Sequence, residues 1–157
     1  MDYELVQLEK ETHGRIIWGC SWSKDSKIFF TGSRDNFLKI WKKNIDDRKF
    51  KEAYVHEFNE AITSVNLIEE KFFDNYVAFI GFESGEIDIV KIHFSEDNKV
   101  ELTILEKFPD FISHGLTVKR IKSFVSKNVV KVATCSEDHT VRIFEITFDY
   151  LEKLIKQ

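Results

Sequence analysis

Apolar residues along this chain recur in short runs with a period of two. That is the alternation of half-buried strands, not the 3.6-residue stripe of helices. Three runs, Ile28-Phe29-Phe30-Thr31, Val77-Ala78-Phe79-Ile80 and Val132-Ala133-Thr134, each lead into a cluster of small or polar residues. Asp, Asn, Ser and Gly in such clusters bond to the local backbone or relax it, so each cluster predicts a tight turn. An alternating strand follows every turn. Leu38, Ile87 and Val141 share one position and Ile40, Ile89 and Ile143 another, with Lys39, Asp88 and Arg142 between them on the opposite face. The next position is aromatic or branched: Trp41, Val90, Phe144.

Further strands are predicted upstream, over residues 16–22, 62–67 and 118–124, and residues 50–58 and 100–108 can supply a fourth strand. Four short strands per unit, repeating roughly every 50 residues, indicate β-propeller blades, whose period is near or above roughly 40–45 residues. The excess length falls in polar stretches that read as outer loops. The expected architecture is all-β: about three blades of a propeller, over residues 12–44, 58–94 and 113–147, filling the whole of 1–157. The tail, residues 148–157, differs. Phe148, Leu151 and Ile155 are spaced three and four apart, which predicts a short amphipathic helix that covers a sheet edge or docks on a partner.

Composition narrows the function classes. The chain has 157 residues, 43% hydrophobic and 32% charged, a globular balance. Its net charge of −4 argues against a protein that coats nucleic acid, though not against a local basic patch. No apolar run approaches the roughly 18–20 residues that span a membrane, and the start lacks the basic and apolar regions of a signal peptide. Cys20 and Cys135 form no Cys-x-x-Cys pair and are expected to be buried, reduced thiols. The five histidines show no paired ligand spacing, so neither a metal site nor a cofactor is expected.

The repeats resemble the WD-repeat family, whose units carry a Gly-His pair upstream and a Trp-Asp pair at the end of the third strand. Here the first pair is reversed, as His13-Gly14 and His114-Gly115, and the second is reduced to Trp41-Lys42, Val90-Lys91 and Phe144-Glu145. The stretch His13-Gly14-Arg15-Ile16-Ile17-Trp18-Gly19-Cys20-Ser21-Trp22 is more particular and resembles a carboxyl-terminal blade of the Elongator second-subunit family. Gly81-Phe82-Glu83-Ser84-Gly85-Glu86-Ile87 and Cys135-Ser136-Glu137-Asp138-His139-Thr140-Val141-Arg142-Ile143 resemble the blades that follow. The resemblance runs in order from His13 to about Ile146. It implies a non-catalytic scaffold with two seven-bladed propellers. Such a scaffold binds the largest and the catalytic Elongator subunits, supports modification of wobble uridines in tRNA, is linked to transcription elongation, and works in cytoplasm and nucleus. Contact with tRNA would be indirect or weak. Because three blades do not close a propeller, the chain is expected to be a piece of a longer product or one completed by another polypeptide.

The resemblance also implies a hydrogen-bond staple in the first repeat: Trp41 donates to Ser33, Ser33 contacts His13, and His13 contacts Asp35. His114, Ser136 and Asp138 are the equivalents in the third repeat, and Phe58 replaces the histidine in the second. The same Ser33, His13 and Asp35 could be read as a hydrolase triad, but Ser33 lacks the Gly-x-Ser-x-Gly elbow, so no catalytic residue is assigned. Arg15, Arg34, Lys119, Arg120, Glu137 and His139 fall in or beside loops expected to face partners. They are the candidate partner-binding residues, with a WD-repeat module of an unrelated complex as the alternative function.

Overall fold

The computed structural model describes residues 3–97 and 99–157. Among the described residues, eleven strands form three antiparallel sheets, each laid down in chain order. The first sheet holds β1 (Ile17–Trp22), β2 (Ile28–Ser33), β3 (Phe37–Lys43) and β4 (Phe50–Glu57). The second holds β5 (Ile62–Leu67), β6 (Tyr76–Phe82), β7 (Ile87–Phe94) and β8 (Val100–Lys107). The third holds β9 (Val118–Ser126), β10 (Val129–Ser136) and β11 (Val141–Thr147). The innermost strands β1, β5 and β9 pack side by side, so the three sheets fan out from one axis as successive propeller blades.

The three β-turns between second and third strands are built alike. In each, one residue takes the left-handed conformation: Asn36 at φ 73°, Gly85 at φ 100° and His139 at φ 65°. The residue before it caps the turn. An Asp35 carboxylate oxygen accepts from the Phe37 amide at 3.0 Å, Asp138 from Thr140 at 2.9 Å, and the Ser84 hydroxyl from Glu86 at 3.2 Å. Gly takes such an angle freely because it has no Cβ to meet the following carbonyl, and Asn and His are among the residues found there more often than others.

Each blade presents two apolar faces, and two cores result, one per blade interface. Phe30, Leu38 and Ile40 of the first blade meet Ile62, Ile80 and Val90 of the second. Ile87, Ile89 and Phe79 of the second meet Val118, Ile121 and Val132 of the third. Glycines let the inner strands approach closely. A Cβ on Gly32 would lie 2.4 Å from Ile62 Cγ2, and one on Gly81 would lie 2.8 Å from Val118 Cγ1.

The tail is the expected helix, α1 (Phe148–Lys156), capped by the Thr147 hydroxyl, which accepts from the Tyr150 amide at 3.3 Å. Its place differs from a cover over a strand edge. Leu151 and Ile155 are buried in the second core and Phe148 packs edge-on against Phe72, so the helix plugs the wedge between the second and third blades. Among the described residues, β11 pairs with β10 alone, and the third blade has three strands. The thiols also depart from expectation: Cys20 is exposed and Cys135 half-buried. In β1 it is Gly19 that faces the second blade, which turns Cys20 outward.

Gly85 is the most constrained turn residue. An added Cβ there would lie 2.1 Å from the His114 carbonyl oxygen, a backbone atom that cannot move aside, and φ is already left-handed. Gly85→Ala should therefore destabilise by about 2 kcal/mol or more in denaturant unfolding. Gly115→Ala, whose added Cβ meets nothing within 4 Å, should stay within about 0.5 kcal/mol.

Candidate functional site

The staple exists, but its middle member is not the expected one. The Trp41 indole N–H donates to the Thr31 hydroxyl at 2.9 Å. That hydroxyl lies 2.9 Å from His13 Nε2, and His13 Nδ1 lies 3.0 Å from the Asp35 carboxylate. One proton arrangement satisfies every group. His13 donates from Nδ1 to Asp35, which leaves Nε2 to accept from Thr31, and the Thr31 oxygen accepts from Trp41. His13 is 1% exposed at its side chain, so an unpaired ring nitrogen there would be costly.

Ser33 is therefore corrected to a different role. Thr31 lies opposite Lys39 in the ladder and Phe29 lies opposite Trp41, so Trp41 reaches Thr31 along the diagonal. Ser33 is a further two residues along, roughly 7 Å beyond reach. It donates instead to the Arg15 carbonyl at 3.2 Å and accepts from the Asp35 amide at 3.1 Å, which holds the turn against the incoming loop. Ser136 is displaced from the third blade's staple for the same reason. Thr134 bonds His114 Nε2 at 2.7 Å, and Asp138 meets His114 Nδ1 at 2.9 Å. Ser136 donates to the Leu116 carbonyl at 2.8 Å. The signal for Thr31 and Thr134 was available in the strand alternation, which puts them diagonal to Trp41 and Phe144. In the second blade Phe58, Ile80 and Val90 replace histidine, threonine and tryptophan together. All three are buried, so no polar group is stranded.

The staple carboxylates are held ionised. Burial works against the Asp35 anion, but hydrogen bonds from the Phe37 and Gly14 amides, Ser33 and His13 outweigh it and lower its pKa. For Asp138 the Thr140 hydroxyl is the largest influence and lowers the pKa. Burial opposes it, and the Thr140 and Gly115 amides and His114 add to the lowering.

The candidate partner-binding residues lie along the turn-bearing rim, in two groups. Arg15 and Arg34 line a shallow cleft with Glu60 and Glu83. Arg34 pairs with Glu83 at 3.6 Å across the blade boundary and stands over the Trp18 ring at 5.6 Å. Lys119 pairs with Glu137 at 2.5 Å on the third blade. Arg120 donates to the Lys119 carbonyl and shares a small recess with Trp18 and Ile121. His139 is the exposed apex of its turn. The basic residues are thus interleaved with carboxylates, a mixed-charge rim and not a basic patch. Trp18 and Glu83 were not singled out from sequence. Among the described residues, no group of three or more His, Cys, Asp or Glu is placed to hold a metal ion.

One buried acid stands apart from this rim. Asp88 occupies the position that is Lys39 in the first blade and Arg142 in the third, yet it is 1% exposed, and its Oδ1 has no hydrogen-bond partner. Burial, with Glu86 and Glu60 adding to it against the nearby Lys107, pushes its carboxyl up to about 6.

Comparison with known proteins places this geometry. The WD domain, G-beta repeat family matches residues 6–42. Proteins named Elongator complex protein 2 are similar along most of the chain. The one from Dictyostelium discoideum is 37% identical over 88% of this chain, that from Drosophila melanogaster 34% over 93%, and that from Schizosaccharomyces pombe 30% over 87%. The chain spans only 17%, 19% and 18% of their respective lengths. The WD40 domain of SCAP from fission yeast superposes with a TM-score of 0.66 at 16% identity. The match covers 89% of this chain and 33% of that one, which confirms the propeller fold.

Two outcomes follow. Thr31→Val strands both the Trp41 donor and His13 Nε2 and should cost about 1–3 kcal/mol in denaturant unfolding, while Ser33→Ala should cost no more than about 1.5 kcal/mol. The reverse ranking would refute the assignment of Thr31. For Asp88, the folded carboxyl is raised, so stability falls as pH rises from about 4 through about 6, and the cost is complete above that. Asp88→Asn should therefore be more stable than the parent by about 2–3 kcal/mol at pH 7 and equal to it near pH 3.5. Equal melting at pH 7 would show that the carboxylate has found a partner.

Proposed function

We propose that this chain, which belongs to the WD40-repeat family, is a non-catalytic scaffold segment of an Elongator-type complex. The observation that carries this reading is the extent of the similarity. At 37% identity it runs through 88% of the chain, far beyond the single repeat that the general family matches. The geometry supports the same role. The polar networks of His13 and His114 are spent on internal bonds. What the rim offers outward is an interleaved set of charges suited to selecting a partner by complementarity.

In this reading the chain contacts the largest and the catalytic subunits and supports modification of wobble uridines in tRNA, in cytoplasm and nucleus. It touches tRNA itself weakly or only through its partners. The acidic balance of the chain and the carboxylates beside Arg34 and Lys119 favour protein over phosphate as the direct contact.

The test is affinity capture of the endogenously tagged gene product, with identification of what accompanies it. Recovery of the largest and catalytic Elongator subunits is the expected result. A different stable complex would move the chain to a WD-repeat interaction module of that complex, and capture of no partner at all would contradict the scaffold role.

A further inference from the structure

The third strand of each blade carries one charged residue between its two core positions: Lys39, Asp88 and Arg142. Two of them meet a partner inside the chain. The Lys39 ammonium lies 2.7 Å from Glu52 of β4. Arg142 donates to the Phe111 carbonyl at 3.1 Å and lies 4.0 Å from Asp138. Asp88 differs. Its direct cross-strand neighbour in β8 is Lys107, but that ammonium sits 3.5 Å from Glu86 instead. Asp88 Oδ1 has no hydrogen-bond partner among the described residues, and the residue is 1% exposed. A carboxylate there has lost water without gaining a donor or a counter-charge, which is costly for an ionised group.

Asp88 also belongs to the wall of a cleft of about 230 Å³. The cleft lies at the boundary of the first and second blades, between the end of β4 and the β7–β8 pair. Its lining runs from residue 56 to residue 107, and both blades that form it are four-stranded. Phe58 and Phe82 are buried beside Asp88 with their ring centroids 5.2 Å apart, and His56 stands edge-on to Phe58 at 4.7 Å. Ile104 adds an aliphatic wall that is partly exposed. The titratable groups that face the space come from both blades. Glu57 is exposed, and Glu60 accepts from the Ser84 amide at 3.0 Å and the Ser84 hydroxyl at 2.9 Å. Burial holds His56 below its usual value, so it brings no positive charge at pH 7. Three carboxyl groups, Glu57, Glu60 and Asp88, thus stand against the single ammonium of Lys107, which Glu86 already engages.

We propose that this cleft receives a lysine or arginine side chain of a partner protein, whose cationic head pairs with Asp88 while its methylene stem lies along Phe58, Phe82 and Ile104. Lysine and arginine have that division, an apolar stem under a charged head. A cation near the aromatic faces gains further attraction, and away from water its pairing with a carboxylate is stronger than at the exposed rim. A neutral side chain would leave the acid as unpaired as before, and an anionic one would be repelled by Glu57 and Glu60. Pairing brings the Asp88 carboxyl down from about 6, and by reciprocity the cation binds more tightly as Asp88 ionises. The proposal does not depend on which complex the chain serves.

The test is NMR titration of the 157-residue chain with blocked tripeptides that carry lysine, arginine or uncharged norleucine between two glycines. Both basic peptides should give saturable shifts at the Phe58, Asp88 and Ile104 amides. Binding should be at least about tenfold weaker for the norleucine peptide, and equally weakened in Asp88→Asn, a variant expected to fold at least as stably as the parent. The bound basic peptide should lower the Asp88 carboxyl midpoint by about one pH unit or more. Its affinity should fall about tenfold from pH 7.5 to pH 5, as a carboxyl near 6 takes up its proton. His56→Phe keeps the ring, removes the other titration in that range, and should keep this pH dependence. Absence of saturable shifts would overturn the proposal. So would equal binding of norleucine, indifference to Asp88→Asn, or a pH dependence lost with His56→Phe. Spermidine binding more tightly than the lysine peptide at physiological ionic strength would overturn the assignment to a protein side chain. An Asp88 midpoint that is low in the free chain and rises in Lys107→Met would show that Lys107 already fills the role, which would also overturn it.

Discussion

A propeller blade has two apolar faces and cannot cover either of them. Every other feature of this chain follows from that constraint. The faces are buried only by neighbouring blades, so the second blade, covered on both sides, supplies most of the buried hydrophobic residues. At roughly 25 cal/mol for each Å² of apolar surface removed from water, these interfaces are the main stabilising term. They require the close approach that Gly32 and Gly81 permit and that the short turns at Asn36, Gly85 and His139 align.

The polar staples serve the same constraint from the other side. Trp41 brings a large apolar ring to the blade face but carries one N–H that must be satisfied when buried. Thr31, His13 and Asp35 pass that requirement outward, from indole to hydroxyl to imidazole to an anion held by backbone amides at the rim. The second blade solves the problem by removing every polar member at once. The first and second blades are thus alternative answers to one need, and each is internally consistent. A half-polar version would leave a stranded donor or acceptor, which costs more than either complete form.

Much of this was legible in the residues. Alternation located the strands, because a half-buried strand leaves a period-two record, and the Asp-Asn, Ser-Gly and Asp-His pairs marked the turns. The helix at Phe148–Lys156 was visible in its spacing, but its seat was not: an amphipathic stripe states that a face is buried and not what buries it. The staple was misplaced by two residues, because the motif's serine lies on the same strand face as Thr31 and only the ladder register separates them. Cys20 was misread because Gly19, with no side chain, takes the inward place that an apolar thiol was expected to fill. The strain at Asp88 was hidden, since a charged residue between two isoleucines reads as a solvent-facing position until the neighbouring blade is seen to cover it.

The central claim, that burial between blades carries the stability, predicts an ordering of protection along the chain. Native-state hydrogen exchange tests it most directly. The slowest amides should lie in β5, β6 and β7, whose blade is covered on both faces, and faster exchange should mark β4, β11 and residues 3–10. Protection that is uniform across the three blades, or greatest in β2 and β3 around the Trp41 staple, would contradict the account. It would place the governing interaction within the blade instead of between blades.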